Sequence, residues 1–173
     1  GNAEIDVAKG FAGVMETFDN TRPLVAAMAA GCAKASLERI KEIFKTSKGK
    51  YVAPAPIENR LGEHSRIEMV CVVGDGMTQP MALCVLSDVG RSEAANSSRV
   101  ELESSLKNLL EQVNKSLDKH ERLQRLVLVQ EVWAVDNGFL TPTLKIKRAV
   151  IEGTYGERFG EWAERSEVVL WHN

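Results

Sequence analysis

The stretch best suited to chemistry is LTPTLKIKR, residues 140–148. It places Lys145, Lys147 and Arg148 within four residues, one residue after a Thr-Pro-Thr segment. The Asp-Asn-Gly run at 136–138 is typical of a tight turn, so we expect an exposed loop here. A lysine on such a loop is a mobile point charge that can reach a phosphate from outside. The alternative is a solvated helix start, and composition alone favours that alternative.

Elsewhere the sequence offers no enzyme motif. It contains no GxSxG nucleophile motif, no HExxH zinc motif and no GxxxxGK[ST] phosphate loop. The three cysteines, Cys32, Cys71 and Cys84, are far apart and form no CxxC pair or Cys/His ligand spacing. The sequence therefore predicts buried, reduced thiols and no metal site.

Composition excludes several classes of protein. The chain has 173 residues, 44% of them hydrophobic and 27% charged, which is typical of one globular domain with an extension. Its net charge of −2 argues against a broad nucleic-acid surface. No apolar run approaches the length of a membrane span and nothing resembles a signal peptide, so we expect a cytoplasmic location.

Hydrophobic periodicity divides the chain near residue 38. The alanine-rich segment before that point predicts a packing helix over about 21–37. Ser98 and Glu101 form a capping-box pattern that predicts the start of a long amphipathic helix. The other predicted elements are a helix at 56–64, strands at 67–75, 80–88 and 125–135, a helix at 147–165 and a strand at 167–171.

The segment from 40 to 56 has two readings, and its local signal leaves Arg39–Phe44 open between helix and strand. Helical spacing favours a helix through Phe44, whereas TSKGKYVAP, with Gly49 at its turn, favours a hairpin. An unpaired strand at Tyr51–Val52 would leave buried backbone groups unsatisfied, at about 1–3 kcal/mol each. We therefore predict that the preceding helix ends by about residue 39 and that the hairpin forms.

Two stretches carry a resemblance to a known family. NGFLTPTLKIKRAVI, residues 137–151, resembles the last core motif of the adenylate-forming superfamily, in the version found in long-chain acyl-CoA synthetases. RIKEIFKTSKGKYVAPAPIEN, residues 39–59, resembles the hinge motif of the same family. The resemblance covers residues 38–173 and implies the small C-terminal lid domain. The expected fold is α+β, a small mixed sheet with flanking helices, plus an N-terminal helical extension.

The resemblance also implies roles for individual residues. Lys145 matches the lysine that bridges the substrate carboxylate and the α-phosphate, Arg39 matches a ribose contact, and Lys41 matches the hinge about which the lid swings. The loop that lines the pantetheine tunnel corresponds to Ser47, Lys48 and Gly49. The implied reaction uses ATP, CoA and Mg²⁺ to convert a fatty acid to an acyl-adenylate and then to a thioester.

Residues 1–38 depart from that family and resemble a segment of acyl-CoA dehydrogenases, without the catalytic glutamate or a flavin site. We therefore expect two parts, 1–38 and 39–173. The large domain that carries the phosphate loop, adenine pocket and acyl tunnel has no counterpart here, so we expect the chain alone to be inactive and to bind no cofactor. The alternative is a non-enzymatic interaction or oligomerisation module that pairs through the N-terminal helix.

Overall fold

A four-stranded mixed sheet organises the part of the chain that the computed structural model describes, residues 42–96 and 98–172. The strands of this sheet are β3 (Ile67–Val73), β4 (Met81–Leu86), β5 (Leu126–Val129) and β6 (Val169–His172). Two further strands, β1 (Phe44–Lys45) and β2 (Tyr51–Val52), form a separate two-stranded sheet. The helices are α1 (Pro54–Gly62), α2 (Asp88–Ala95), α3 (Arg99–Lys115), α4 (Arg148–Tyr155) and α5 (Phe159–Glu164), with a 3₁₀ turn at Gly156–Arg158.

The sheet order is β3-β4-β5-β6, antiparallel between β3 and β4 and parallel in the other two pairs. Every residue of β4 and β5 is buried. Strands covered on both faces need apolar side chains at every position, which is why these segments are continuous apolar runs. The predicted strand pair is confirmed. The strand predicted at 125–135 also forms, but it ends at Val129, and residues 130–135 are not strand.

Helices cover both faces of the sheet. On one face α1 and α3 contribute Ile57, Leu61, Leu102 and Leu106, packed against even-numbered strand residues such as Val72. The second face is covered by α4, α5 and the segment between β5 and α4, which contribute a second apolar cluster: Trp133, Phe139, Leu140, Ile151, Tyr155 and Trp162. The expected α+β architecture with flanking helices is therefore confirmed.

The short hairpin of β1 and β2 also forms, as predicted. Phe44 pairs with Val52 and Lys45 pairs with Tyr51 in an antiparallel register. Phe44 and Val52 are buried in the first core cluster, so the hairpin is held by its apolar face as well as by backbone pairing.

Two local predictions need correction, and one helix has no counterpart among the predicted elements. Ser98 precedes α3 but makes no side-chain cap, because its φ of −85° and ψ of 8° differ from the extended backbone of a capping residue. The predicted helix at 147–165 is broken into α4 and α5 by the 3₁₀ turn at Gly156, a weak helix former. Helix α2 was not predicted at all. Ser87, which reads as a strand end, caps it by accepting from the Gly90 N–H at 3.3 Å.

Some predictions lie outside the described residues. These are the N-terminal helical extension, its end near residue 39, the domain boundary near residue 38, Arg39 and Lys41. In the stretches 42–96 and 98–172, the structure contains no helix with the length and apolar character of a membrane span.

Candidate functional site

Lys145 lies on a hairpin loop with a hydrogen-bonded backbone. The Thr141 N–H donates to the Lys145 carbonyl at 2.8 Å, and the Leu144 N–H donates to the Thr141 carbonyl at 2.8 Å. The Thr141 hydroxyl accepts from the Lys145 N–H at 3.1 Å. Residues 142–144 are therefore a three-residue hairpin loop, and Lys145 is the first residue after it.

The core anchors this loop on both sides. Phe139 and Leu140 are buried, and Leu140 pairs across the hairpin with Ile146. The Lys147 N–H donates to the Phe139 carbonyl at 2.8 Å. Lys145 itself is exposed. The result is an exposed lysine on a backbone that the core fixes on both sides.

The turn before the loop forms at the predicted position. Asn137 Oδ1 accepts from the Ala134 N–H at 2.9 Å, and Asn137 Nδ2 donates to the Val132 carbonyl at 2.8 Å. Gly138 follows with a φ of 83°, a left-handed conformation that glycine adopts without a steric penalty. This turn sends the chain into the buried Phe139.

The Arg148 side chain is more buried than the sequence predicts. We expect both Lys147 and Arg148 to face solvent or another domain, and Lys147 is exposed, but the Arg148 side chain is only 18% exposed. Its Nη2 donates to Glu58 Oε1 at 2.8 Å and its Nη1 to the Val72 carbonyl at 2.5 Å. Arg148 therefore ties the start of α4 to α1 and β3.

The surroundings of Arg148 keep its guanidinium charged. Burial by itself would lower the pKa of Arg148, but the neighbouring Cys71, Glu58 and Glu42 raise it. Glu58 Oε1 also accepts from the Val72 N–H at 2.7 Å. Glu42 Oε2 lies 3.9 Å from Arg148 Nη2. This contact connects the segment that follows Lys145 to Glu42, which is adjacent in sequence to the predicted hinge residue Lys41.

The predicted tunnel loop is the connection between β1 and β2. Ser47, Lys48 and Gly49 are exposed, whereas Thr46 is 4% exposed. The Thr46 hydroxyl donates to the Lys50 carbonyl and accepts from the Lys50 N–H, each at 3.2 Å. The Ser47 N–H donates to the Met77 carbonyl at 2.9 Å, and Gly49 has a φ of 76°. The loop is thus docked on the turn between β3 and β4.

The sequence reasoning missed Glu58 as part of this site. Glu58 follows Ile57 on a short helix, where a carboxylate is normally exposed, and no local pattern marks its partner 90 positions away. The turns that carry Lys145 and Gly49 are predicted from local signals, because proline and glycine specify such turns directly. The tunnel role of the Gly49 loop comes only from the family resemblance.

The described residues show no group of three or more His, Cys, Asp and Glu side chains that could hold a metal ion. Cys71 and Cys84 are buried and unpaired, as predicted. Burial raises the pKa of the Cys71 thiol to about 12, although the Arg148 guanidinium 3.1 Å away opposes that shift. Burial likewise raises the pKa of the Cys84 thiol, so the interior disfavours the thiolate form of both cysteines.

Comparison with known proteins identifies the family. Residues 41–159 match the AMP-binding enzyme C-terminal domain, a stretch that includes both the tunnel loop and Lys145. The chain belongs to this family of domains. The resemblance of residues 1–38 to acyl-CoA dehydrogenases has no counterpart in that match.

The chain is similar to long-chain-fatty-acid–CoA ligases. It is 29% identical over 139 residues to ligase 1 of Cavia porcellus, covering 72% of this chain and 20% of that protein. It is 30% identical over 126 residues to ligase 1 of Homo sapiens, covering 65% of this chain and 18% of that protein. The chain thus spans about a fifth of the length of these curated relatives.

Solved structures show the same fold. The adenylation domain of a carboxylate reductase from Mycobacterium chelonae matches with a TM-score of 0.65 at 22% identity, over 73% of this chain and 20% of that one. The corresponding domain from Segniliparus rugosus, solved with AMP and a carboxylic acid, matches with a TM-score of 0.61 at 21% identity, over 72% of this chain and 20% of that one. Each of these similarities extends over a minor part of the larger protein.

Proposed function

We propose that residues 39–173 act as the lid domain of an ATP-dependent fatty acyl-CoA synthetase, with residues 1–38 as a separate extension. A fatty acid carboxylate attacks the α-phosphate of ATP to give acyl-adenylate and pyrophosphate, and the CoA thiol then displaces AMP. Family membership supports the reaction class, and the long-chain ligases among the relatives support the fatty acid substrate. The nucleotide and the acyl chain would bind to a separate N-terminal domain.

Lys145 is the proposed catalytic residue. Negative charge grows on the α-phosphate as the carboxylate attacks, and a cation already held at that point stabilises the transition state more than the ground state. The observation that carries this proposal is the placement of Lys145, exposed on a backbone that the core fixes on both sides. Mg²⁺ would accompany the phosphates, as such reactions generally require.

The remaining proposed roles follow the two-step reaction. Lys41 is the hinge and Arg39 contacts the ribose. After adenylation the lid turns, which removes Lys145 from the phosphate and brings in the tunnel loop of Ser47, Lys48 and Gly49. The docking of that loop on the β3–β4 turn supports this role, because a rigid loop can form a wall beside pantetheine.

The test requires a complete enzyme, made by joining this chain behind the N-terminal domain of a similar ligase such as that of Cavia porcellus. Lys145→Ala should slow ATP–pyrophosphate exchange by about 10²-fold or more, corresponding to roughly 2.7–4 kcal/mol of transition-state stabilisation. Thioester formation from supplied acyl-adenylate should be nearly unchanged. Both half-reactions are measured with the same enzyme preparation.

Lys147→Ala is the matched control, since Lys147 is an exposed lysine two positions away. It should have a mild effect on both half-reactions. An equal loss in both half-reactions for Lys145→Ala, or a larger loss for Lys147→Ala, would show that Lys145 has been assigned wrongly.

A further inference from the structure

Leu144 adopts a backbone conformation that leucine rarely adopts. Its φ is 59°, and it is the one non-glycine residue with a positive φ within residues 42–96 and 98–172. An L-residue with a Cβ atom is crowded against its own carbonyl oxygen in this left-handed region, so glycine and asparagine are favoured there. The side chain of Leu144 therefore disfavours the backbone conformation that this position adopts.

The loop explains why the left-handed residue is needed. Thr141 and Lys145 flank a three-residue hairpin loop, with Leu144 as its last member. Such loops consist of a type I turn followed by one left-handed residue, for which glycine is the usual choice. The backbone of the loop therefore explains the left-handed conformation at position 144. It does not explain why the residue there is leucine.

The Leu144 side chain is largely outside the apolar core of the described residues. It is 71% exposed, although Leu140 and Ile146 in the same hairpin are buried or partly buried. Leu144 is a member of neither apolar cluster formed by the described residues. A large apolar side chain at a strained and exposed position points to a contact outside this domain, because strain of this kind collects at functional sites.

We propose that Leu144 is a docking residue for the adenylation step, an inference that rests on the proposed function. When Lys145 reaches the α-phosphate, the adjacent Leu144 is carried to the same cleft, since consecutive Cα atoms are only about 3.8 Å apart. There the Leu144 side chain packs against an apolar surface of the domain that binds nucleotide and fatty acid. The substrate class supports an apolar partner, because a fatty acid lies along the same cleft with its carboxylate at the phosphate. The packing holds the lid closed while Lys145 acts.

The first test is stability of the full 173-residue chain in urea. Leu144→Gly and Leu144→Asn should raise the unfolding midpoint or leave it unchanged, because both residues accept a positive φ. Leu144→Met keeps both the apolar character and the strained conformation, and it should unfold like the parent chain. A clear fall in the midpoint for both Gly and Asn would show that Leu144 stabilises the domain itself, and the docking role would be wrong.

The second test uses the same three variants in the joined synthetase described above. Leu144→Asn and Leu144→Gly should reduce the rate of ATP–pyrophosphate exchange about tenfold or more, which corresponds to the loss of one buried leucine contact. Leu144→Met should retain most of the rate, and thioester formation from supplied acyl-adenylate should be unchanged in all three. The asparagine variant separates lost contact from the added loop flexibility of glycine.

The outcomes also separate this inference from the proposed function. If Lys145→Ala slows exchange by about 10²-fold or more but Leu144→Asn stays within about twofold of the parent, the lid role stands and the Leu144 contact is wrong. A Met variant as slow as the Asn variant also overturns the apolar contact. If Lys145→Ala has no effect on exchange, the proposed function itself fails, whatever the Leu144 variants do.

Discussion

Arg148 Nη2 lies 2.8 Å from Glu58 Oε1, and this ion pair joins the segment that follows Lys145 to helix α1. Both side chains are largely buried, at 18% and 17% exposure. Glu58 also accepts from the Val72 N–H, so one carboxylate holds α1, β3 and α4 together. The position of the Lys145 loop on the domain therefore depends on a contact between distant parts of the chain.

Glu58→Ala should lower the free energy of unfolding by about 2–4 kcal/mol, since breaking a buried pair leaves the partner charge and the Val72 N–H uncompensated. Urea denaturation followed by circular dichroism measures the change. Glu161→Ala is the control, because it removes an exposed partner of Arg165 on α5 and should leave the stability essentially unchanged. Equal losses for the two variants would contradict an interior role for Glu58.

Replacing Arg125 should also lower the free energy of unfolding of the domain. It is 3% exposed and donates to the Ala163 carbonyl at 3.0 Å and the Arg165 carbonyl at 2.7 Å, which ties β5 to the end of α5. Arg125→Met should lower the free energy of unfolding by about 2–4 kcal/mol, as charged hydrogen bonds are worth roughly 1.5–3 kcal/mol each. Arg125→Lys should recover only part of this loss, because an ammonium cannot reproduce the planar fork of the guanidinium. A lysine variant as stable as the parent would show that charge alone matters.

Gly49 offers a test of the tunnel loop in the joined synthetase. Gly49→Val should slow thioester formation from acyl-adenylate by about tenfold or more, because a branched side chain would stand in the proposed path of pantetheine. Adenylation should be nearly unaffected.

Gly76→Val is the matched control for Gly49→Val. Gly76 has a φ of 68° against 76° for Gly49, and a Cβ at Gly76 would meet no atom within 4 Å. Backbone strain is thus similar in the two variants, while Gly76 lies on the neighbouring turn. If both variants slow the thioester step equally, strain explains the effect and the tunnel assignment loses its support.

The 173-residue chain by itself should catalyse no ATP–pyrophosphate exchange with any fatty acid and should bind ATP very weakly. Exposed cations such as Lys48 and Lys145 attract a phosphate in water by on the order of 1 kcal/mol or less for each pair. Exchange assays with radiolabelled pyrophosphate and ATP titration by calorimetry measure the two properties. Formation of acyl-adenylate by the pure chain would reveal an active site that these residues do not explain.

The sequence by itself determined the elements that depend on local signals. Continuous apolar runs specify β4 and β5, because a strand covered on both faces needs apolar residues throughout. The second half of β3, from Val70 to Val73, is buried and apolar in the same way. The apolar stripe of α3 specifies which side of that helix packs on the sheet. Turn residues such as Gly138 place the Lys145 loop, since glycine and proline restrict the backbone within a few residues.

Only the tertiary structure decided the features that depend on distant partners. Arg148 reads as one more exposed cation beside Lys147, yet it is buried because Glu58 and the Val72 carbonyl supply acceptors from two other elements. The local signal leaves Phe44 open between helix and strand, and burial of Phe44 and Val52 against residues of other elements in the first core cluster favours the strand. The energy of a buried charge or of strand pairing depends on which groups the fold brings together, and short stretches of sequence do not contain that information.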